Sequence, residues 1–310
     1  MKLSYPTVTE IGYHTYLVNE FGMACFYVLR GSQRGMVIDA GCGSFDARDL
    51  VEKLCPVPYD VVLTHGHGDH VGAMSQWDQV WLHPADLERI HDLHRMKEML
   101  WENPVIRHSI AEQGPSCSPA DIPWDYPYLH CSGQDIYEVS EDMFMGFERL
   151  PEFLPIKNGQ TFDLGDGQIC EIIHTPGHTA GSVSVLDYRN RILFSGDACN
   201  THLGISGASI NSELTGLLRL DEKRRYFDRN FNGHACPSGS LFSFSMPDST
   251  LDDCIWICRS ILNGTAPIDE QQDRPAPPGV RPGSVRHGNV IVNFNQNRLI
   301  DEGEEPAEKG

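Results

Sequence analysis

Three histidines and one aspartate lie within six residues, directly after a short apolar run. The run YDVVL is typical of a buried strand, and the stretch HGHGDH at residues 65–70 follows it closely. In an extended loop His65 and His67 project to the same side and can bind one metal ion, whereas Asp69 and His70 turn towards a neighbouring position. These nitrogen and oxygen ligands suit Zn²⁺, with iron or manganese as substitutes. The sequence therefore predicts a metal site at a strand end, where two glycines permit tight turns.

Strands and helices alternate around this stretch. The runs HTYLVNE, MACFYVLRG and GMVIDAG are rich in β-branched and aromatic residues and are punctuated by glycine, which predicts consecutive strands joined as hairpins. The run FDARDLVEKLC has apolar residues near helical spacing and predicts a helix. The first part of the chain thus leads through strands to the histidine-rich loop.

The second half repeats this strand-then-loop design. Two hairpins are predicted in QTFDLGDGQICEIIHTPG and SVSVLDYRNRILFSGDA, and two helices in ELTGLLRLDEKRRYFDRNF and STLDDCIWICRSILNG. The run HGNVIVNF predicts a last strand, and RPAPPGVRPG predicts a loop before it. We expect the acidic tail DEGEEPAEKG to be frayed.

An insert at about residues 86–155 interrupts the alternation. It begins with an amphipathic pattern over residues 86–103, which predicts a helix. The rest is rich in proline and carries Trp124, Tyr126 and Tyr128, which are candidates for lining an apolar substrate pocket. We expect either a lid over the site or a packed surface excursion.

The pattern His65-x-His67-x-Asp69-His70 resembles the signature of the metallo-β-lactamase superfamily. Further landmarks of that family follow in the right order between residues 39 and 234. They are Asp39 in MVIDAG, His178 in HTPGHTAGS, Asp197 in ILFSGDA, and His234 after Gly233.

The resemblance implies an α/β fold, a four-layer αββα sandwich with metals at one edge of its two sheets, formed by residues 1–310 as a single domain. It implies two Zn²⁺ ions, with Fe or Mn as alternatives. The first metal would be held by His65, His67 and His178, the second by Asp69, His70 and His234, and Asp197 would bridge them together with a hydroxide.

Two other residues near this ligand set have alternative interpretations. Asp39 is a candidate for orienting a ligand from behind, since a carboxylate at a strand end can fix an imidazole tautomer, or it is a simple loop cap. His202 is a rival to His234 as the last ligand, because it follows Asp197 by five positions. It is otherwise a substrate-binding or packing residue.

The resemblance implies a dinuclear hydrolase in which the bridging hydroxide attacks the substrate and Asp69 orients it or carries its proton. Asp197 resembles the bridging aspartate of the thioesterases of the glyoxalase II type and of the lactonases. This resemblance favours a small ester, thioester or lactone as the substrate. The alternatives are a mononuclear iron enzyme of the persulfide dioxygenase type, a phosphodiesterase of the same fold, and a binding protein without turnover.

Charge and hydropathy limit the partners. The formal net charge of −19 repels phosphate backbones and anionic membrane surfaces, so nucleic acid and membrane are not expected as partners. The start of the chain lacks a secretory pattern, and no apolar run is long enough to span a bilayer, which favours a cytoplasmic location. We expect a small-molecule substrate, and homo-oligomerisation is left open.

Overall fold

The computed structural model describes residues 3–4, 6–20, 22–90, 93–102, 128–130, 137–138, 149–236, 243–270 and 278–307. Two compact units are distinguished. Unit 1 contains Met1–Ile156, Phe162–Cys170 and Gly233–Phe244, and unit 2 contains Lys157–Thr161, Glu171–Asn232 and Ser245–Gly310. The single domain expected from the sequence stays a prediction.

Unit 1 is organised by an eight-stranded sheet with the order β10-β7-β6-β5-β4-β3-β2-β8. Its strands are β2 (Thr7–Gly12), β3 (Thr15–Glu20), β4 (Ala24–Arg30), β5 (Gly35–Ile38), β6 (Tyr59–Val62), β7 (Gln79–Leu82), β8 (Tyr128–His130) and β10 (Glu152–Pro155). Strands β2 to β5 pair antiparallel, as the three predicted hairpin strands require, whereas β5, β6 and β7 run parallel. A separate pair joins β1 (Leu3–Ser4) to β9 (Tyr137–Glu138).

Helix α1 (Ala47–Leu54) forms where the sequence predicts it, on the chain between β5 and β6. Asp46 caps its start by accepting a hydrogen bond from the Asp49 N–H at 2.9 Å. Its apolar residues Leu50 and Val51 are buried in the core of unit 1, which explains why the polar positions of the helix face outwards.

The amphipathic pattern at residues 86–103 does not form one continuous helix, so that prediction is wrong in part. A 3₁₀ segment covers Pro84–Ile90, and helix α3 spans Leu93–Glu102. The Asp86 side chain is buried and accepts a hydrogen bond from the Gly66 N–H at 2.8 Å. Asp86 thus anchors the 3₁₀ segment to the histidine loop. Residues 91–92, 103–127, 131–136 and 139–148 of the insert lie outside the described residues.

Two further sheets have the orders β11-β12-β13-β14-β16 and β15-β18-β17. Strands β13 to β18 belong to unit 2, whereas the residues of β11 and β12 are divided between the two units. The strands are β11 (Thr161–Asp163), β12 (Ile169–His174), β13 (Val183–Asp187), β14 (Ile192–Gly196), β15 (His202–Ile205), β16 (Arg229–Asn232), β17 (Pro282–His287) and β18 (Val290–Asn295). Helices α4 (Ile210–Glu222) and α5 (Thr250–Leu262) pack into the apolar core of unit 2. In the described part of the chain, no helix combines the length and apolarity needed to cross a membrane.

The acidic tail packs on the start of α4, so the expectation of a frayed end is wrong for the residues that the structure describes. Glu304 accepts hydrogen bonds from the hydroxyls of Ser209, at 2.6 Å, and Ser212. The Ala307 N–H donates to Asn211 Oδ1 at 2.7 Å. A carboxylate is favoured beside the partial positive charge of a helix N-terminus, which explains why this acidic segment is held.

The loop after β5 lies in backbone contact with a short helix, α2 (Gly68–Val71), and the turn after it. The Gly72 N–H donates to the Gly41 carbonyl at 2.7 Å. Gly43 has a φ of 76°, and a Cβ added there would lie 2.5 Å from the Gly72 carbonyl carbon. The close approach therefore requires glycine at position 43.

Gly43→Ala should destabilise the protein more than Gly167→Ala, a matched control. Gly167 also has a φ of 76° but no atom within 4 Å of an added Cβ. The control should lose about 1 kcal/mol from backbone strain alone, and Gly43→Ala at least about 2 kcal/mol because its methyl group also meets backbone. Denaturant unfolding measures both, and equal losses would contradict the packing described.

Candidate metal centre

The histidine-rich stretch begins where β6 ends and continues into α2. His65 is buried in the loop, His67 is the residue before the first turn of α2, and Asp69 and His70 lie within that helix. His65 Nε2 and His67 Nδ1 are 3.1 Å apart. The rings of His65 and His70 have centroids 4.0 Å apart, so the imidazoles form one cluster.

Asp69, His70 and His234 place their donor atoms within 4.8 Å of one another. Asp69 Oδ2 lies 3.8 Å from His70 Nε2 and 3.7 Å from His234 Nε2. The His234 Nδ1 atom is 2.8 Å from the Met23 carbonyl oxygen, and a proton on Nδ1 makes this a hydrogen bond. That bond directs Nε2 towards Asp69, in the tautomer that a metal ligand needs.

His178 and Asp197 approach each other within unit 2. Asp197 directly follows β14, and its Oδ2 lies 3.6 Å from His178 Nε2. His178 Nδ1 is 2.6 Å from the Gly204 carbonyl oxygen, which again fixes the ring so that Nε2 faces the carboxylate. Five of the seven predicted ligands thus lie in unit 1 and two in unit 2.

The donor set fits a divalent metal of the zinc type. Its atoms are imidazole nitrogens and carboxylate oxygens, the ligands that zinc, iron and manganese share in proteins. In His70, His178 and His234 the Nδ1 atom contacts a backbone or carboxylate oxygen, while the Nε2 atom faces an aspartate. This orientation is the one expected of metal-binding histidines; the individual ligand roles stay predictions.

Asp39 lies behind the imidazoles rather than among them. It is fully buried, with a φ of 68°, a left-handed conformation that aspartate tolerates better than most residues. Its Oδ1 accepts from the Thr64 N–H at 2.6 Å, and its Oδ2 lies 2.9 Å from both Thr64 Oγ1 and His70 Nδ1. Thr64 Oγ1 is in turn 3.1 Å from His65 Nδ1. One carboxylate is therefore linked to two histidines.

Asp39→Asn should weaken metal binding by about 10–100-fold, because the amide cannot accept from both Thr64 and His70. Competition with a chelator measures the dissociation constant. Asp60→Asn is the control, since Asp60 accepts from Arg34 at 2.7 Å and Trp81 at 3.1 Å. An unchanged metal affinity in Asp39→Asn would assign Asp39 to loop capping alone.

A second buried carboxylate, Glu20 at the end of β3, was not singled out from the sequence. It accepts from the Cys42 N–H at 2.6 Å, from the Ser44 N–H at 2.8 Å, and from the Ser44 hydroxyl. The loop that it holds also bonds to α2, since the Ala40 N–H donates to the His70 carbonyl at 2.7 Å. The only signal in the sequence is a charged residue ending an apolar strand, which is too common to be diagnostic.

Lys97 on α3 is 1% exposed and lies in the electrostatic field of Glu20 and Cys42. Burial lowers the pKa of Lys97 to about 7, against the opposing effect of these two groups. Between this value and the ordinary lysine pKa, the unfolded chain binds a proton at this position that the folded chain does not.

The stability contribution of Lys97 should therefore rise with pH from about 7 towards 10, by at most about 1.4 kcal/mol per pH unit. Lys97→Met should reduce this slope of the unfolding free energy. Lys53→Met serves as the control because Lys53 is half-exposed and paired with Asp49 at 3.0 Å. Parallel pH profiles for the wild type and Lys97→Met would show that Lys97 stays charged in the folded protein.

Unit 2 has a comparable buried carboxylate on α4. Glu213 accepts a hydrogen bond from the His178 backbone N–H, and burial raises the pKa of Glu213 well above its ordinary value. It thereby holds the turn that carries His178. The sequence predicts Glu213 only as part of a helix, because the residues around it do not indicate that its side chain points inward.

The predicted substrate-binding residues are less well placed. Trp124 and Tyr126 lie outside the described residues, and for Tyr128 only its backbone in β8 is described. His202 is exposed at the start of β15, with its Nδ1 3.4 Å from Thr201 Oγ1. These four assignments stay predictions.

The profile of the metallo-beta-lactamase superfamily matches residues 21–227. The chain is 27% identical over 188 residues to acyl-coenzyme A thioesterase MBLAC2 of Homo sapiens, covering 56% of this chain and 57% of the relative. It is 25% identical over 187 residues to hydroxyacylglutathione hydrolase GloC of Haemophilus influenzae, covering 58% of this chain and 68% of the relative. The match therefore spans little more than half the length of the thioesterase.

A crystal structure of an archaeal metallo-beta-lactamase superfamily protein from Sulfolobus tokodaii superposes with a TM-score of 0.50 at 16% identity, covering 89% of this chain and 91% of that one. At this identity the similarity concerns the fold alone. It confirms the α/β fold class expected from the sequence.

Proposed function

Because the chain belongs to the metallo-β-lactamase superfamily, we propose that it is a metal-dependent hydrolase acting on a small thioester, ester or lactone. The observation that carries this proposal is the convergence of Asp69, His70 and His234, whose donor atoms lie within 4.8 Å of one another. Asp69 lies between two imidazoles whose Nδ1 atoms contact other oxygen atoms. Packing alone does not explain this arrangement.

We propose two Zn²⁺ ions as the resident cofactors, with Fe or Mn as substitutes. The proposed ligands are His65, His67 and His178 for the first ion, Asp69, His70 and His234 for the second, and Asp197 for both. When bound, such a pair supplies Lewis acidity and a hydroxide nucleophile near neutral pH.

The protein's own residues have three proposed tasks in the reaction. Asp69, 28% exposed and close to two imidazoles, orients the attacking water and accepts its proton. Asp39 keeps His70 in the correct tautomer through its 2.9 Å contact. Glu213 holds the turn that carries His178 through the backbone N–H.

A thioester is the first substrate to test. The two relatives described above are named as a thioesterase acting on acyl-coenzyme A and as a hydrolase of hydroxyacylglutathione. This supports an acyl thioester more than a phosphodiester, and the net charge of −19 disfavours a polyanionic nucleic acid.

The protein purified without added metal or chelator should contain about two zinc or manganese ions per chain by elemental mass spectrometry. His178→Ala should lower this content, and Asp69→Asn should reduce thioester hydrolysis by roughly 100-fold or more. His14→Ala is the control, since His14 lies on the surface 2.7 Å from Arg30.

One iron and no second metal would overturn the dinuclear hydrolase and favour the persulfide dioxygenase alternative. Two metals without turnover of any thioester, ester or lactone would overturn the substrate class. Turnover is measured as free thiol released from the thioesters and as carboxylic acid formed from the esters and lactones.

A further inference from the structure

An arginine whose role the proposed mechanism does not use lies beside the histidine cluster. Arg89, in the 3₁₀ segment Pro84–Ile90, places its Nη1 atom 3.4 Å from His67 Nε2. Its side chain is 34% exposed, so solvent reaches the guanidinium. Both residues belong to unit 1.

Arg89 forms an ion pair with Asp86 but does not hydrogen-bond to it. The Arg89 Nε atom is 3.8 Å from Asp86 Oδ1, too far for a hydrogen bond, and the other oxygen of Asp86 accepts the Gly66 N–H at 2.8 Å. Asp86 is fully buried, so it anchors the histidine loop and leaves the guanidinium facing outwards. Among the described residues, Arg89 has no closer carboxylate than Asp86.

A guanidinium at this place adds positive charge beside the proposed metal site; the ion pair with Asp86 offsets it on the buried side, and an anion on the exposed side would offset it further. Two like charges repel, and a guanidinium stays charged at all physiological pH values. Its planar set of N–H donors matches a carboxylate or a phosphate, which it can bind through two parallel hydrogen bonds.

We propose that Arg89 is a specificity-determining residue that binds an anionic group of the substrate. This inference rests on the proposed function and deepens it, because it selects acyl thioesters that carry a carboxylate or a phosphate. The carboxylate would lie in the acyl part, and the phosphate in the thiol part.

Kinetics on three thioesters distinguish a carboxylate in the acyl part from a phosphate in the thiol part as the group that Arg89 binds. The first joins an uncharged acyl group to N-acetylcysteamine, the second joins a succinyl group to the same thiol, and the third joins the uncharged acyl group to coenzyme A. Arg89→Gln should raise KM about 10–100-fold for the second or the third thioester, and less than about twofold for the first, with kcat changed little. Arg89→Lys should fall between the wild type and Arg89→Gln, because it keeps the charge and loses the planar donors.

Arg95→Gln is the control, since Arg95 lies on α3, is 57% exposed and pairs with Glu98 at 3.1 Å. Metal content and thermal unfolding of each variant are measured alongside, and both should match the wild type. A uniform loss on all three thioesters, or no change on any, would overturn the role of Arg89.

Calorimetry with succinate and with coenzyme A provides a readout that needs no turnover. One of these anions should bind wild-type protein at least about tenfold more tightly than Arg89→Gln, and more weakly as ionic strength rises. If the wild type hydrolyses no thioester, the proposed function fails while the anion site is still decided by this binding. Equal affinities in wild type and Arg89→Gln would overturn the anion site itself.

Discussion

The carboxylate of Asp39 is the interaction on which the histidine cluster of unit 1 depends. It lies at the end of β5, and through Thr64 and His70 it connects the end of β6 to the short helix α2. Parallel neighbours end at the same edge of a sheet, so an aspartate after one strand meets the loop after the next. The left-handed backbone of Asp39 is what turns its side chain back onto that loop. The geometry of two imidazoles therefore follows from a single turn in the chain.

The sequence predicted those parts of the fold whose signals are local. The β3 to β5 hairpins and α1 each carry their own periodicity or residue types, and they form as expected, whereas the histidine stretch, predicted as a loop, continues into helix α2. The predicted helix in ELTGLLRLDEKRRYFDRNF is wrong beyond Glu222, where α4 ends. Residues Arg229–Asn232 form strand β16 instead, because RNFN is mostly polar and only its place beside β14 makes it a strand. Glu20, Asp86 and Glu213 could not be identified as buried anchors, because their partners are backbone N–H groups that any sequence supplies. Tertiary contacts determine such residues, and a single sequence does not display them.

Acidic side chains buried near the histidine cluster have different partners from those on the surface. Surface pairs such as Arg191 with Asp228 are half-exposed and contribute little to stability. The carboxylates of Glu20, Asp39 and Asp86 are instead fully buried, and each accepts a backbone N–H from a loop near the histidines. Burying a carboxyl group without hydrogen bonds is costly, so these bonds satisfy the buried oxygens and hold the loops at the same time. Burial raises the pKa of Glu20 even with its hydrogen bonds.

His234 shows how a residue that is distant in the sequence reaches this cluster. It contacts the carbonyl of Met23, 211 residues earlier in the chain, and the Cys25 N–H donates to the Gly233 carbonyl at 2.8 Å. Closing so long a loop costs entropy, but this cost grows only slowly with length and is offset by strand-end hydrogen bonds and packing. The same contact that closes the loop sets the tautomer of His234. Its Nε2 is therefore aimed at Asp69 by contacts within unit 1.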